Sequence, residues 1–387
     1  MHIVVLDAAN GLPTDEESED QPMGGIRSAL TYLGDALAGA GHTVTAIGPG
    51  DVVQNRSAQR RSGMTGIGLA NIPVALFQAA DAFIINCRGD HASLVRDKLR
   101  DDAPLILWQH HLPVVRHLSR DTSIHGLDTP HRDRLDAVVF VSEWQRRLYE
   151  EQYPLQAIGR HVIRNAVAPA FLALDDGDDA LFERKASQLE VAFVSSHERG
   201  LGTLLGLWRS VVPCVPQAQL AVYFARTPGL DDRSGEYDRF TAGEPIAPNV
   251  VYRGGLPHGE LCRHLGGTAV IAYPTRFEET SCIALLEGLA AGCRVVCTDR
   301  GALPESMAGY ARMVQASENE AELAQRFLPA LIDELRRWQA GDPGLRRQLA
   351  HQRRVFRACD WRARALEWES LIAFLRQVRA ARETSGC

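Results

Sequence analysis

The chain has 387 residues, 45% hydrophobic and 23% charged, a balance that excludes a disordered protein and leaves room for two or more domains. Lys and Arg number 42 against 48 Asp and Glu, a net charge of -6, so no overall basic field draws nucleic acid or an anionic membrane. The eight cysteines (Cys87, Cys214, Cys262, Cys282, Cys293, Cys297, Cys359 and Cys387) lack a Cys-x-x-Cys pair or zinc-ligand spacing, and read as buried free thiols in a reducing compartment.

The first residues, Met1, His2, Ile3, Val4 and Val5, are strand-like and lack the basic start of a signal peptide. No apolar run reaches the ~20 residues of a membrane span. The nearest, residues 72–86, is cut by Gln78 and Asp81. A cytoplasmic protein is expected, with peripheral membrane contact left open.

Short apolar runs then alternate with amphipathic stretches, the pattern of parallel strands joined by crossover helices. In the N-terminal half the predicted strands are residues 3–6, 44–47, 82–85, 105–108, 137–141 and 162–163. Between the first two, Leu30, Leu33 and Leu37 share one helical face, closed by Gly39 and Gly41. The same grammar restarts at residues 191–194 and continues through 220–224, 250–252, 269–273 and 294–298. Between the two series, residues 168–188 contain Pro169 and the acidic run Asp175, Asp176, Asp178 and Asp179, the composition of an exposed connection. After about residue 318 only helical patterns remain, ending in Trp361, Ala365, Trp368 and Ile372 at helical spacing. Two doubly wound α/β domains are expected, with ligands at the carboxyl ends of their strands and an interdomain cleft.

The densest signal lies in residues 273–299, which read as strand, loop, helix, a stop at Gly292 and another strand. Thr280 or Ser281 is the expected N-cap, and the following helix would aim unpaired amides and a positive dipole end at an anion such as a diphosphate. Glu279 and Glu287 are eight positions apart, about 12 Å along the axis if both are helical. That is too far for the paired carboxylates of a retaining glycosidase, roughly 5 Å apart. It suits one carboxylate on a hexose and another on a ribose.

This segment resembles the large fourth family of glycosyltransferases, the retaining, GT-B-type glycosyl transferases of group 1, whose signature is two glutamates separated by seven residues ahead of a small-residue helix, a glycine and a buried strand. The resemblance spans essentially the whole chain and is most specific over residues 268–305. It implies a GT-B fold, with an acceptor-binding domain at 1–168, a nucleotide-sugar domain at 169–358 and a helix at 359–387 that returns to the first domain. It implies that Glu279 holds hydroxyls of the transferred sugar and Glu287 the ribose, with Glu278 the rival for the sugar contact. The helix start at Thr280, Ser281, Cys282 and Ile283 would then meet the diphosphate.

Upstream, Ser195 to Leu201 resembles the strand-to-helix turn in which a basic residue before a glycine clamps the diphosphate; Arg199 takes that role here, since a guanidinium binds phosphate bidentately. Serines stand at the slot of a second cation, with His197 a stand-in. The pair Gly24 and Gly25 matches the glycines that bring backbone amides to the phosphates, where a side chain would block the approach. His110, with His111 the alternative, matches the histidine beside the transferred sugar. Asn165 stands as a polar contact of the cleft, and Ser142 either lines it or caps the helix that follows. Gly254, Gly255 and Leu256 match the loop that reads the nucleobase, and Asp299 with Glu305 the polar end after the next strand.

On this resemblance the reaction involves His110, Glu279 and Arg199, proceeds with retention, and uses a nucleotide-diphosphate sugar as co-substrate, a uridine diphosphate sugar being favoured because such donors are common in the family. No residue stands out as a covalent nucleophile, so the departing phosphate oxygen is assigned the acceptor proton. No metal or other cofactor is expected, since Asp231, Asp232, Asp101 and Asp102 fall in polar loops rather than at a strand mouth. The acceptor, a glycan, glycolipid or small metabolite, is left open. Rival readings are a nucleotide-sugar epimerase of the same fold and a catalytically weak scaffold subunit. A dehydrogenase is weakest, because no Gly-x-Gly-x-x-Gly follows the first strand. The acidic loop at residues 14–20 and the cluster Arg56, Arg60 and Arg61 are carried as solvated segments with lid or anion-binding roles as alternatives.

Overall fold

The computed structural model describes residues 1–8, 21–49, 64–113, 127, 129–174, 177–224 and 247–384. The acidic loop at 14–20, the cluster Arg56, Arg60 and Arg61, the pairs Asp175 with Asp176 and Asp231 with Asp232, and Cys387 lie outside the described residues. The chain divides into two compact units: in the main, residues up to Ala166 and from Trp361 onward form the first, and Val167–Asp360 the second.

The first unit is built on a seven-stranded sheet, ordered β3-β2-β1-β4-β5-β6-β7. Its strands are β1 His2–Leu6, β2 Thr43–Gly48, β3 Met64–Gly68, β4 Ala82–Asn86, β5 Leu105–Gln109, β6 Ala137–Phe140 and β7 Gly159–Val162. All neighbours pair in parallel, for example Val4 with Thr45 and Phe83. Such strands are covered on both faces and therefore read as unbroken apolar runs, as Ile3, Val4, Ile84, Ile106 and Leu107 do, each fully buried. The helix Gly25–Gly39 buries Leu30, Leu33 and Leu37 as the spacing predicts, and Gly41 follows it in the left-handed region at φ +90°. The long helix Trp361–Thr384 also belongs to this unit and buries Trp361, Ala365, Trp368 and Ile372 along one stripe. It packs on the helix Gly25–Gly39 and is fastened by Arg376 to Asp81 and Asp102 and by Arg379 to Asp136.

The second unit carries a six-stranded parallel sheet, ordered β10-β9-β8-β11-β12-β13. Its strands are β8 Glu190–Val194, β9 Gln219–Tyr223, β10 Val250–Tyr252, β11 Thr268–Tyr273, β12 Arg294–Thr298 and β13 Arg312–Val314. Lys185, fully buried, sends its ammonium to the carbonyls of Leu265 and Thr268, both at 2.6 Å, tying a covering helix to the start of β11. At the start of the neighbouring strand β12, Arg294 pairs with Glu334 at 2.9 Å, so that neither buried charge is left alone.

Four expectations change. Strands β3 and β13 were not anticipated: β3 holds two glycines in five residues and β13 is three residues long, so neither has the apolar run that marks a strand. Strand β7 begins at Gly159, ahead of the apolar pair at 162–163, because the polar Arg160 and His161 complete the pairing with β6. The connection at 168–188 is not wholly exposed: its described residues include the helices Pro169–Leu172 and Asp178–Gln188, the latter burying Leu181, Phe182 and Lys185 beneath its acidic first turn. The described cysteines are free as expected, but Cys214 is exposed and Cys359 only partly buried.

Both sheets reverse strand order at the strand that comes first in sequence, β1 beside β4 and β8 beside β11. Open α/β sheets leave a crevice at such a switch point, outside the carboxyl ends of the strands.

Candidate functional site

At the switch point of the second sheet, the ends of β8 and β11 bring together residues far apart in sequence. After β8 the chain makes one tight turn, His197–Arg199, and passes through Gly200 at φ +106°. A Cβ on Gly200 would stand 2.5 Å from the carbonyl oxygen of Pro274, so only glycine lets this turn lie against the exit of β11. The outcome is contact between Arg199 and Glu279: Arg199 Nη1 donates to Glu279 Oε1 at 2.5 Å, and the guanidinium carbon sits 3.4 Å from the centre of the Phe277 ring. Burial alone would lower the pKa of Arg199, but the charge of Glu279, followed by Tyr273 and Glu198, outweighs it and raises it, so the group stays a cation.

The loop carrying Glu279 is held at both ends. Thr275 Oγ1 accepts from the amide of Phe277 at 3.0 Å, and Thr298 Oγ1 donates to the carbonyl of Thr275 at 2.7 Å. Gly301, at φ +60°, lies against the loop so closely that a Cβ there would stand 2.6 Å from the Glu279 amide nitrogen, and Ala302 donates to the Glu279 carbonyl at 2.7 Å. Glu279 itself is buried, and Tyr273 Oη lies 2.8 Å from the same oxygen, Oε1, that Arg199 addresses. Oε2 makes no protein hydrogen bond among the described residues, and neither does Arg199 Nη2. A carboxylate with one oxygen locked and the other open can accept from a hydroxyl; a guanidinium edge beside it can meet an anion. Glu278, the rival carboxylate, is half-buried and makes no hydrogen bond or ion pair among the described residues.

The following helix starts later than expected. It spans Ile283–Ala290, with Cys282 rather than Thr280 or Ser281 at the N-cap position and no side chain capping it. Burial of Cys282 and Ile283 draws the start inward, and a helix start leaves its first amides without partners inside the helix. Glu279 therefore precedes the helix instead of lying on it. Glu287, inside the helix, is buried; its Oε1 accepts from the amide of Ala168 at 3.2 Å and lies 3.5 Å from His258 Nε2. Burial raises the Glu287 carboxyl to about 8, only partly opposed by the Ala168 amide, and burial lowers His258 to about 4. Near neutral pH this contact is thus a neutral acid beside a neutral imidazole, not an ion pair.

The remaining assignments in this unit scatter more. Gly254, at φ +75°, with Gly255 and Leu256 forms the half-buried loop that runs from β10 toward His258. His197 turns toward Phe224, their ring centres 5.9 Å apart. Asp299 accepts from the amide of Ala316 at 2.7 Å, which joins the ends of β12 and β13, and Glu305 lies on the helix Leu303–Met307.

In the first unit, the ends of β1, β4 and β5 line up Asp7, Asn86 and His110. Asn86 Nδ2 donates to Asp7 Oδ2 at 3.3 Å, and the next residue, Cys87, takes φ +60°, a conformation that costs a non-glycine residue energy. His110 is buried with its ring centre 4.5 Å from that of Trp108, and burial lowers its pKa to about 3, so the imidazole is neutral. His111 is less buried; its carbonyl is held by Gln145 Nε2 at 2.8 Å and Tyr149 Oη at 3.2 Å. Ser142 caps the helix Glu143–Gln152 by accepting from the Gln145 amide. Gly24 is the N-cap of the helix Gly25–Gly39, with open space where a Cβ would stand. Asn165 is buried, and its Oδ1 has no hydrogen-bond partner among the described residues.

Sequence reasoning missed Tyr273, Phe277, His258, Ser195 and Gly301. An aromatic at the end of an apolar strand carries no mark that separates a polar task from core packing, and the left-handed glycine after β12 gains meaning only from the backbone beside it.

Residues 190–333 match the family described as Glycosyl transferases group 1. No curated protein matches the chain significantly. Among solved structures, sucrose-phosphate synthase from Thermosynechococcus elongatus is similar with a TM-score of 0.73 at 18% identity, covering 98% of this chain and 99% of that one. The pneumococcal O-GlcNAc transferase GtfA, in complex with UDP and GlcNAc, gives 0.68 at 10% identity over 97% and 99% of the two chains. Anabaena HepE, in complex with UDP and glucose, gives 0.67 at 12% identity over 96% and 99%. At these identities the likeness is one of fold, and the fold is GT-B.

Proposed function

We propose, from the match of residues 190–333 to the glycosyl transferases of group 1, that this chain is a retaining transferase acting on a nucleotide-diphosphate sugar. The observation that carries the reading is the half-locked carboxylate of Glu279 at the switch point of the second sheet, whose Oε1 is held by Arg199 Nη1 and Tyr273 while Oε2 has no hydrogen-bond partner among the described residues. In this reading Oε2 accepts a hydroxyl of the transferred sugar, and Arg199 with the uncapped helix start at Cys282 and Ile283 takes the diphosphate. Glu287 receives the ribose, and the loop of Gly254, Gly255 and Leu256 the base. Gly24, Gly25 and Asn165 complete the donor contacts. His110, neutral and buried, provides a polar face for the sugar without a competing charge.

As the bond from the anomeric carbon to the phosphate breaks, negative charge grows on the leaving oxygen. Preorganised donors stabilise that charge most where they are already fixed before the reaction. Arg199 is fixed by Glu279 and by its stack on Phe277, and the leaving oxygen takes the acceptor's proton as the acceptor oxygen bonds to the anomeric carbon on the same face of the sugar. The donor is a UDP-sugar, a choice that accords with the nucleotide bound in the HepE and GtfA structures. The acceptor is a hydroxyl of a glycan, glycolipid or small metabolite, and turnover needs no added metal.

Calorimetric titration with uridine, guanosine and adenosine diphosphates and their sugars, in chelator, on the wild type and on Glu287→Ala, tests this. One nucleotide class should bind with micromolar affinity to the wild type and at least tenfold more weakly to the variant. Absence of binding by any of them to the wild type sinks the reading.

A further inference from the structure

Tyr273 ends β11 fully buried, and the proposed reaction has so far given it no part. Its hydroxyl is nevertheless committed: Oη lies 2.8 Å from Glu279 Oε1 and 3.2 Å from Ser195 Oγ. A phenol has one proton, and an ionised carboxylate has none to give, so Tyr273 donates to Glu279 and Ser195 in turn donates to Tyr273. Burial, followed by the neighbouring Cys282 and Glu279, raises the phenol's pKa further, which keeps it a donor throughout the working pH range.

Two donors therefore converge on one oxygen, Tyr273 from β11 itself and Arg199 from the turn after β8. The terminal torsion of a glutamate is broad and roughly two-fold when nothing holds it. Here the backbone of Glu279 is pinned by Gly301 and Ala302, and Oε1 is pinned from two directions, so the carboxylate plane has a single setting and Oε2 a single direction. Arg199 alone would leave the plane free to turn about the one contact.

We infer that Tyr273 is a positioning residue that sets the Glu279 carboxylate so that Oε2 meets a hydroxyl of the bound sugar. It makes the site distinguish a nucleotide sugar from the bare nucleotide. The inference rests on the reading of Glu279 as the residue that holds the sugar. It adds that the specificity is built by Tyr273 and Ser195 acting through Glu279.

The test uses the full chain with Tyr273→Phe, which keeps the ring in the core and removes only the hydroxyl, and Ser195→Ala. The probes are uridine diphosphate and UDP-glucose, or the guanosine or adenosine pair if the panel above selects it. Affinity for the diphosphate is read by calorimetry, and turnover as release of the diphosphate from the sugar nucleotide. For Tyr273→Phe the diphosphate affinity should stay within about twofold while kcat/KM for the sugar nucleotide falls about tenfold, the size of a hydrogen bond to a charged group. Ser195→Ala should show the same split at about threefold. Unaltered turnover in Tyr273→Phe overturns the inference alone, as does an equal loss of diphosphate and sugar-nucleotide binding, which would mark a structural role. A wild type that binds no nucleotide overturns the transferase reading, and this inference with it.

Discussion

A carboxyl group taken from water into the position of Glu287 finds one amide, that of Ala168, and a neutral imidazole, His258, and so holds its proton up to about 8. The consequence for stability has a definite sign. The folded state binds one proton more than the unfolded chain between the ordinary glutamate value and about 8, so stability falls as pH rises through that window, by up to ~1.4 kcal/mol per pH unit. Glu287→Gln has no proton to lose. Its stability relative to wild type should therefore increase steadily between pH 5 and pH 8, by ~1 kcal/mol per unit in urea unfolding, with all other titrating groups cancelling in the difference. Parallel curves for the two proteins would show that Glu287 titrates normally. Spacing in the sequence singles out Glu279 and Glu287 as carboxylates with different tasks. It does not reveal that one would be held by Arg199 while the other is neutral, because that neutrality comes from burial, against the pull of the Ala168 amide.

At the scale of the element, the readable parts are those whose physics is local. The helix Gly25–Gly39 follows from Leu30, Leu33 and Leu37 with a closing glycine, and the parallel strands follow from runs such as residues 82–86, which must be apolar because both faces are covered. The unread parts are those fixed by neighbours. Strand β3, with Gly66 and Gly68, is a strand because Val44 and Ile47 of β2 supply its partners and Met64 fills the hollow over Gly34. The helix Trp361–Thr384 lies between these cases: its stripe of Trp361, Ala365, Trp368 and Ile372 announces a buried face but not what it covers. It covers Trp108, whose ring meets that of Trp368 edge to face at 5.3 Å and that of His110 on another side at 4.5 Å. Trp368→Ala should thus cost about 3–5 kcal/mol of stability, as truncations of fully buried aromatics do. Leu366, on the same helix but 61% exposed, should change stability by less than about 0.5 kcal/mol when replaced by alanine. Equal losses at the two positions in denaturant melts would refute this account of the helix.

At the scale of the molecule, the two units differ in how the chain builds them. The second is drawn almost wholly from one continuous stretch, Val167–Asp360, and has its own six-stranded sheet, buried core and internal ties such as Lys185 to Leu265 and Arg294 to Glu334. The first is discontinuous, since its sheet comes from residues before Ala166 and one of its covering helices from residues after Trp361. A domain folds alone when its apolar surface can be covered by its own chain. The fragment 167–360 meets that condition and also contains Arg199, Tyr273, Glu279, Glu287 and the glycine loop at 254–255. It should express as a folded, cooperatively melting protein and keep nucleotide affinity within about tenfold of the full chain. The fragment 1–166 should not, because without the helix Trp361–Thr384 it exposes Trp108 and the apolar face of the helix Gly25–Gly39, and leaves Asp102 and Asp136 without Arg376 and Arg379. Calorimetric melts and nucleotide titrations of both fragments decide the matter. An unfolded 167–360 beside a stable 1–166 would mean that the covering helix is dispensable and that the second unit does not fold alone.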